Sequence, residues 1–154
     1  MDDPAPRLIA DCMLGRLAKW LRLLSYDTVF VHDASDHRLA RMARSEGRVL
    51  LTRDRALAAR RGLDTILIRS EQLEKQVEQV RDELGPPPDP SLSRCSVCNV
   101  VLERLTPGEA ADRVPPYIRE THSEFRHCPG CKRMYWPGSH VEAMDEQLEG
   151  FESP

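Results

Sequence analysis

Long hydrophobic runs are missing from this chain: over its 154 residues none approaches the ~20 apolar positions that a bilayer-spanning helix requires. The opening Met1-Asp-Asp-Pro also lacks the basic and then apolar pattern of a secretory signal, so the expectation is a soluble, cytoplasmic protein with no membrane contact. Apolar residues are few, at 40%, against 31% charged, which implies a modest core that a metal could assist. No internal repeat is evident beyond two cysteine pairs. In a reducing compartment such pairs bind metal or do redox chemistry, which sets aside a secreted disulfide framework.

What is present begins with those pairs. Cys95-Ser-Val-Cys98 and Cys128-Pro-Gly-Cys131 have the spacing at which four thiolates close a tetrahedron around one Zn²⁺. The 29 residues between them, 99 to 127, leave room for a hairpin and an excursion. Four cysteines leave no open coordination position, so the zinc is expected to be structural. The rival use, thioredoxin-like redox chemistry at Cys128-Pro-Gly-Cys131, needs that pair at a helix start in the main domain, and the second pair argues against it. Cys12 is left over and reads as a buried free thiol.

Net charge is −3, but the charge is unevenly placed. From Arg16 to Arg61 there are eleven Lys and Arg against five acids, whereas residues 85 to 154 hold seven against eleven. A basic N-terminal half can attract a polyanion despite the overall sign; a solvated arginine-rich surface is the bland alternative.

The first 84 residues alternate short apolar runs with helical spacings. Leu8–Asp11, Thr28–Val31, Arg48–Thr52 and Thr65–Ile68 read as strands. Leu14–Leu24, Asp36–Ser45, a segment from Arg55 to about Arg61, and Ser70–Leu84 read as helices, ended by Gly47, Gly62 and Gly85. Such alternation implies α/β architecture, a parallel sheet covered on both faces. On the first helix Arg16, Lys19 and Arg22 are expected to form a basic stripe facing solvent, with Trp20 either a base-stacking residue or a partly buried anchor. Gly85-Pro-Pro-Pro-Asp-Pro90 breaks the pattern, giving a division into an α/β domain at 1–85, a proline-rich linker at 86–93 and a zinc-ribbon domain with its tail at 94–154.

In parallel sheets, functional groups gather at the carboxyl ends of strands. Asp11 follows the first strand, Asp54 the third, and Asp36 opens the helix after the second, with Asp33 as its substitute. Converging carboxylates need a hard cation such as Mg²⁺ or Mn²⁺ to offset their repulsion. One or two such ions can bridge a phosphodiester and activate water, while Arg16, Lys19, Arg53 and Arg55 hold flanking phosphates. Each aspartate could equally be a helix N-cap.

The run Asp11-Cys-Met-Leu-Gly-Arg-Leu-Ala-Lys-Trp-Leu-Arg-Leu-Leu24, then Tyr26-Asp27, then Arg48-Val-Leu-Leu-Thr-Arg-Asp54, resembles the RNase domain family named after the C-terminal region of the Mut-seven exonuclease. The likeness covers about residues 8 to 148. It implies a PIN-like nuclease fold followed by a four-cysteine zinc ribbon, with Asp11 and Asp54 at acidic positions of the site and Asp36 as the third. Ser25 departs from the glycine expected in the family's Leu-Leu-Gly-Tyr pattern, a change confined to a helix end. The implied activity is metal-dependent cleavage of RNA.

Within the ribbon, Lys132-Arg-Met-Tyr-Trp136 sets two cations and two aromatics beside the metal, either to stack unpaired bases or to form the ribbon's small core. His127 and His140 flank the site without a ligand role. Two functional classes remain: a Mg²⁺- or Mn²⁺-dependent ribonuclease, or a non-catalytic RNA-binding or ribosome-associated adaptor. A regulatory protein whose α/β domain binds a protein partner is a third.

Overall fold

The computed structural model describes residues 5–87 and 93–136. The tail beyond 136, with His140, and most of the expected linker lie outside the described residues.

Four short strands make the main sheet: β1 (Arg7–Ala10), β2 (Asp27–Phe30), β3 (Val49–Thr52) and β4 (Thr65–Leu67). Their order is β2-β1-β3-β4 and every pairing is parallel. Because side chains alternate across a strand, Leu8 and Ala10 face one side and Ile9 the other. Leu8 and Ala10 pack with Leu51 and Ile66 under α1 (Gly15–Leu23) and α4 (Leu73–Leu84). Ile9 and Leu50 pack with Leu39, Ala43 and Leu57 under α2 (Asp36–Glu46) and α3 (Arg55–Ala58). Both faces are therefore covered, as the unbroken apolar strands require.

Local chemistry sets the helix ends. Ser35, not Asp36, caps α2, its hydroxyl accepting from Arg38 N at 3.1 Å. Gly47 closes α2 at φ 63°, with Arg48 N donating to Ala43 O. The third helix is a single turn, ending at Ala58 rather than near Arg61, and α4 starts at Leu73 rather than Ser70.

The C-terminal part forms a three-stranded antiparallel sheet of β5 (Glu103–Leu105), β6 (Phe125–His127) and β7 (Met134–Tyr135). The excursion between β5 and β6 holds two short helices, α5 (Pro107–Ala110), opened by a Thr106/Glu109 capping box, and α6 (Pro116–Thr121). Ala110, Val114, Ile118 and Phe125 bury a small core there, with Trp136 packed against it.

This part docks on the amino edge of the main sheet. Arg22, expected on a solvent-facing stripe, is only 7% exposed. Its Nε donates to Thr28 O, while its Nη1 donates to Ser96 O at 2.8 Å and Val97 O at 3.2 Å. Asn99 completes the joint: its Oδ1 accepts from Thr28 N and its Nδ2 donates to Asp27 Oδ1. Both outward polar groups of Thr28 on edge strand β2 are thus occupied, which blocks further strand pairing there. Trp20, 3% exposed, is a core anchor rather than a stacking surface.

Candidate active edge and cysteine metal centre

Strand order places the candidate edge. From β1 the chain crosses to β2 on one side, while from β3 it crosses to β4 on the other. Between β1 and β3 the connections diverge and leave a crevice at the carboxyl ends, where ligands of such sheets bind.

Asp11 and Asp54 flank this crevice. Asp11 is buried at 5% exposure, its backbone N–H bonded to Leu51 O. Its Oδ1 accepts from Cys12 N at 2.6 Å, and its Oδ2 from the Thr52 hydroxyl at 2.8 Å. That hydroxyl also accepts from Asp54 N at 3.0 Å. One threonine therefore ties the two acid-bearing loops together. The sequence pattern marks Thr52 only as the end of a strand, because its contact with Asp11, 41 residues away, depends on strand register.

Asp54 Oδ1 accepts from Ala56 N and Leu57 N, so this residue does cap α3; its Oδ2 takes no hydrogen bond among the described residues. Asp36 lies exposed in the first turn of α2. It is close enough to act on Cys12, whose thiol is pushed up mainly by its hydrogen bond to Asp11, then by burial and the Asp11 charge, with Asp36 adding in the same direction. Cys12 is itself exposed rather than buried as expected, because it sits on the short 3₁₀ turn (Cys12–Leu14) leading out of the edge. Asp33 stands in solvent, 94% exposed, near His32.

Among the described residues the three aspartates do not form a cluster of ligand atoms within 4.8 Å; the four cysteines do. Mg²⁺ commonly takes one or two carboxylates and completes its shell with water and substrate phosphate. Asp11 and Asp54, with lone pairs left over, suit such an ion without Asp36 as a direct ligand.

Basic residues border the same edge. Arg16 and Lys19 are exposed on α1. Arg53 and Arg55 bracket Asp54 and line, with Leu67, Ile68 and Arg69, a cleft of about 180 Å³. A second cleft of about 130 Å³, bounded by Met13, Arg16, Glu71 and Gln76 among others, lies toward α1 and α4. Glu71 reaches Arg53 Nη2 at 3.8 Å.

The cysteine centre sits at the opposite edge. Its two knuckles have the same backbone design: Asn99 N and Lys132 N donate back to Cys95 O and Cys128 O, and both residues take positive φ, 64° and 69°. Backbone N–H groups of Cys98, Gly130 and Cys131 point at the sulfurs of Cys95 and Cys128. A tetrahedral zinc thiolate with Zn–S of about 2.3 Å needs sulfurs about 3.8 Å apart; the Cys95 and Cys131 sulfurs lie 3.6 Å apart. The backbone N–H and side chain of Arg133 pull Cys131 down to about 6, whereas Cys98, hydrogen-bonded to Cys131, is pushed up to about 12. Four crowded sulfurs ionise together only around a cation, so the donor set and its spacing both fit Zn²⁺. Tyr135 O–H donates to Cys95 Sγ at 3.2 Å and the ring is buried, which assigns it to the ribbon's core. His127 binds Glu103 and approaches Arg113, and it takes no part in the sulfur cluster.

The model of the Mut7-C RNAse domain family matches residues 6–148. The chain belongs to the Mut7-C RNAse domain family. No curated protein and no solved structure gives a significant match. For this Mut7-C member the family points to a nuclease-type protein with RNA as its class of substrate. No helix among the described residues is long and apolar enough to cross a membrane.

Proposed function

We propose that this protein is a Mg²⁺- or Mn²⁺-dependent ribonuclease with a PIN-like α/β domain, working at the crevice between β1 and β3. The observation that carries this reading is the Asp11–Thr52–Asp54 chain at the divergence of the sheet connections, in a Mut7-C RNAse domain chain.

Asp11 and Asp54 would hold the ion, which when bound supplies Lewis acidity and an acidified water. The chain's own groups do the rest. Cys12 N–H and the Thr52 hydroxyl fix both oxygens of Asp11, so its charge stays aimed without reorganisation. Asp54 is held by the first turn of α3. Asp36, at the rim, adds negative charge that favours a second cation or an incoming proton. Arg53, Arg55, Arg16 and Lys19 receive phosphates on either side of the scissile bond. The zinc ribbon braces the far edge, with Lys132 and Arg133 exposed there as a further RNA or partner contact.

The test incubates purified protein with labelled single-stranded and structured RNA, with Mn²⁺ or with no added divalent ion, beside Asp11→Asn and Asp54→Asn. Metal-dependent cleavage that falls at least a hundredfold in each variant is expected. Cleavage that survives in both removes the site assignment. Tight RNA binding by wild type without cleavage selects the adaptor instead.

A further inference from the structure

We propose that the cleft between the β3–α3 and β4–α4 connections is a phosphate-binding subsite, with Arg69 as its third arm and Glu71 as a carboxylate that RNA displaces from Arg53. This deepens the ribonuclease reading and rests on it.

The cleft, about 180 Å³, is lined by Arg53, Arg55 and Arg69 together with Leu67 and Ile68. Three arginines lining one small space repel one another unless an anion joins them. Planar two-pronged donors match phosphate oxygens better than point charges do. The side chains of Arg55 and Arg69 make no hydrogen bond or ion pair with the described residues, so their donors are available. Arg53 is held loosely: Nη1 reaches Ile68 O at 3.4 Å, and Nη2 reaches Glu71 at 3.8 Å. The Glu71 side chain is 89% exposed, and an exposed pair of that length contributes little. A phosphate competes with it easily.

The backbone leading to Arg69 is held by hydrogen bonds. Gln79 is only 6% exposed; its Oε1 accepts from Arg69 N at 3.0 Å and its Nε2 donates to Leu67 O at 2.8 Å. Ile68 N is fixed to Thr52 O at 2.7 Å, which links this turn to the same threonine that holds Asp11. The buried amide thus bonds the backbone on either side of buried Ile68 and fixes the approach to exposed Arg69. Since Arg53 and Arg55 flank Asp54, a phosphate in the cleft is a neighbour of the one being cut.

The measurement is equilibrium binding of a fluorescent single-stranded 2′-O-methyl RNA, without added divalent ion, across a salt series. Arg69→Ala is expected to weaken binding about tenfold and to reduce the log–log salt slope by about 1. Arg69→Lys, keeping the charge but losing the fork, should fall between, and Glu71→Gln should tighten binding about threefold. Comparing 5′-phosphate with 5′-hydroxyl RNA separates the sources: an Arg69 effect confined to the former assigns a terminal phosphate, and an equal effect on both assigns an internal one. If Arg69→Ala and Glu71→Gln both bind like wild type, the subsite is refuted while Mn²⁺-dependent cleavage leaves the ribonuclease reading standing. If wild type neither binds nor cleaves RNA, both fall.

Discussion

Arg16 and Lys19 stand exposed on α1, whereas Arg22, on the same helix, is buried at the amino edge with three carbonyl partners. The residue types and the three-residue spacing are alike; only the neighbourhood differs. At one edge, backbone connections diverge, aspartates follow the strands and arginines line an open cleft. At the other, a cysteine knuckle caps the free strand and converts an arginine into a joint. The sheet thus has an open end and a braced end. Burial desolvates Arg22 and makes its charge harder to keep, while the nearby Cys95, Cys98 and Asp27 favour it. Asp27 shows the same balance: burial opposes its charge, but Asn99 and Arg48 hold its carboxyl below its usual range.

The largest expected effect comes from dismantling the braced end. Stripping zinc, or Cys98→Ser, removes on the order of 10 kcal/mol of metal-linked folding from the cysteine half. Near-ultraviolet circular dichroism from Tyr135 and Trp136 should collapse, and amides of β5 to β7 should exchange. The β1, β3 and β4 amides should stay protected, because their two cores lie on the sheet faces and not at that edge. Simultaneous loss of protection in both sheets would show that the two ends are one cooperative unit.

Next in size is Arg22→Met with zinc kept saturating. The change leaves the carbonyls of Thr28, Ser96 and Val97 without their donor, at a cost of about 3 kcal/mol in urea melts. Arg16→Met, its exposed counterpart, should shift the midpoint by less than about 0.5 kcal/mol and weaken RNA binding instead. Equal stability losses in the two variants would erase the distinction between the edges.

How much of this was legible in the sequence follows from the range of the interactions involved. The strands and helices of the α/β half are local patterns of apolar spacing, so they appear close to their expected places, with only the end of α3 and the start of α4 displaced by about a turn. The cysteine spacing is likewise local, and the sulfurs do come together. Periodicity failed at Arg22 because the groups that bury it lie more than seventy residues away. The expectation of a buried Cys12 failed for a local reason: the residue sits on a 3₁₀ turn before the helix, with its thiol exposed. At the site, Asp11 and Asp54 were readable as acids after strands, but the Thr52 hydroxyl between them depends on strand register. The Gln79 clamp behind Arg69 depends on how α4 packs over β4. Neither has a sequence signature of its own.

The smallest expected effect sharpens the comparison within the helices. Two of them end in the same loop: at α1, Tyr26 N donates to Leu21 O and Ser25 N to Arg22 O, and at α2, Arg48 N donates to Ala43 O and Gly47 N to Arg44 O. Such Schellman ends need a residue in the left-handed region. Gly47 meets that need at φ 63°, while Ser25 adopts φ 79° against the steric preference of its Cβ. The strain persists because Tyr26 and Leu21 are both buried in the core over α1, so the loop cannot relax without exposing them. Ser25→Gly should therefore stabilise the protein by up to about 1 kcal/mol, less whatever its own hydroxyl contact contributes, and Gly47→Ser should destabilise it by a similar amount. Thermal melts of the two variants, read against wild type, check the pair. A loss of stability in Ser25→Gly would mean that the serine hydroxyl holds this corner more strongly than the strain opposes it.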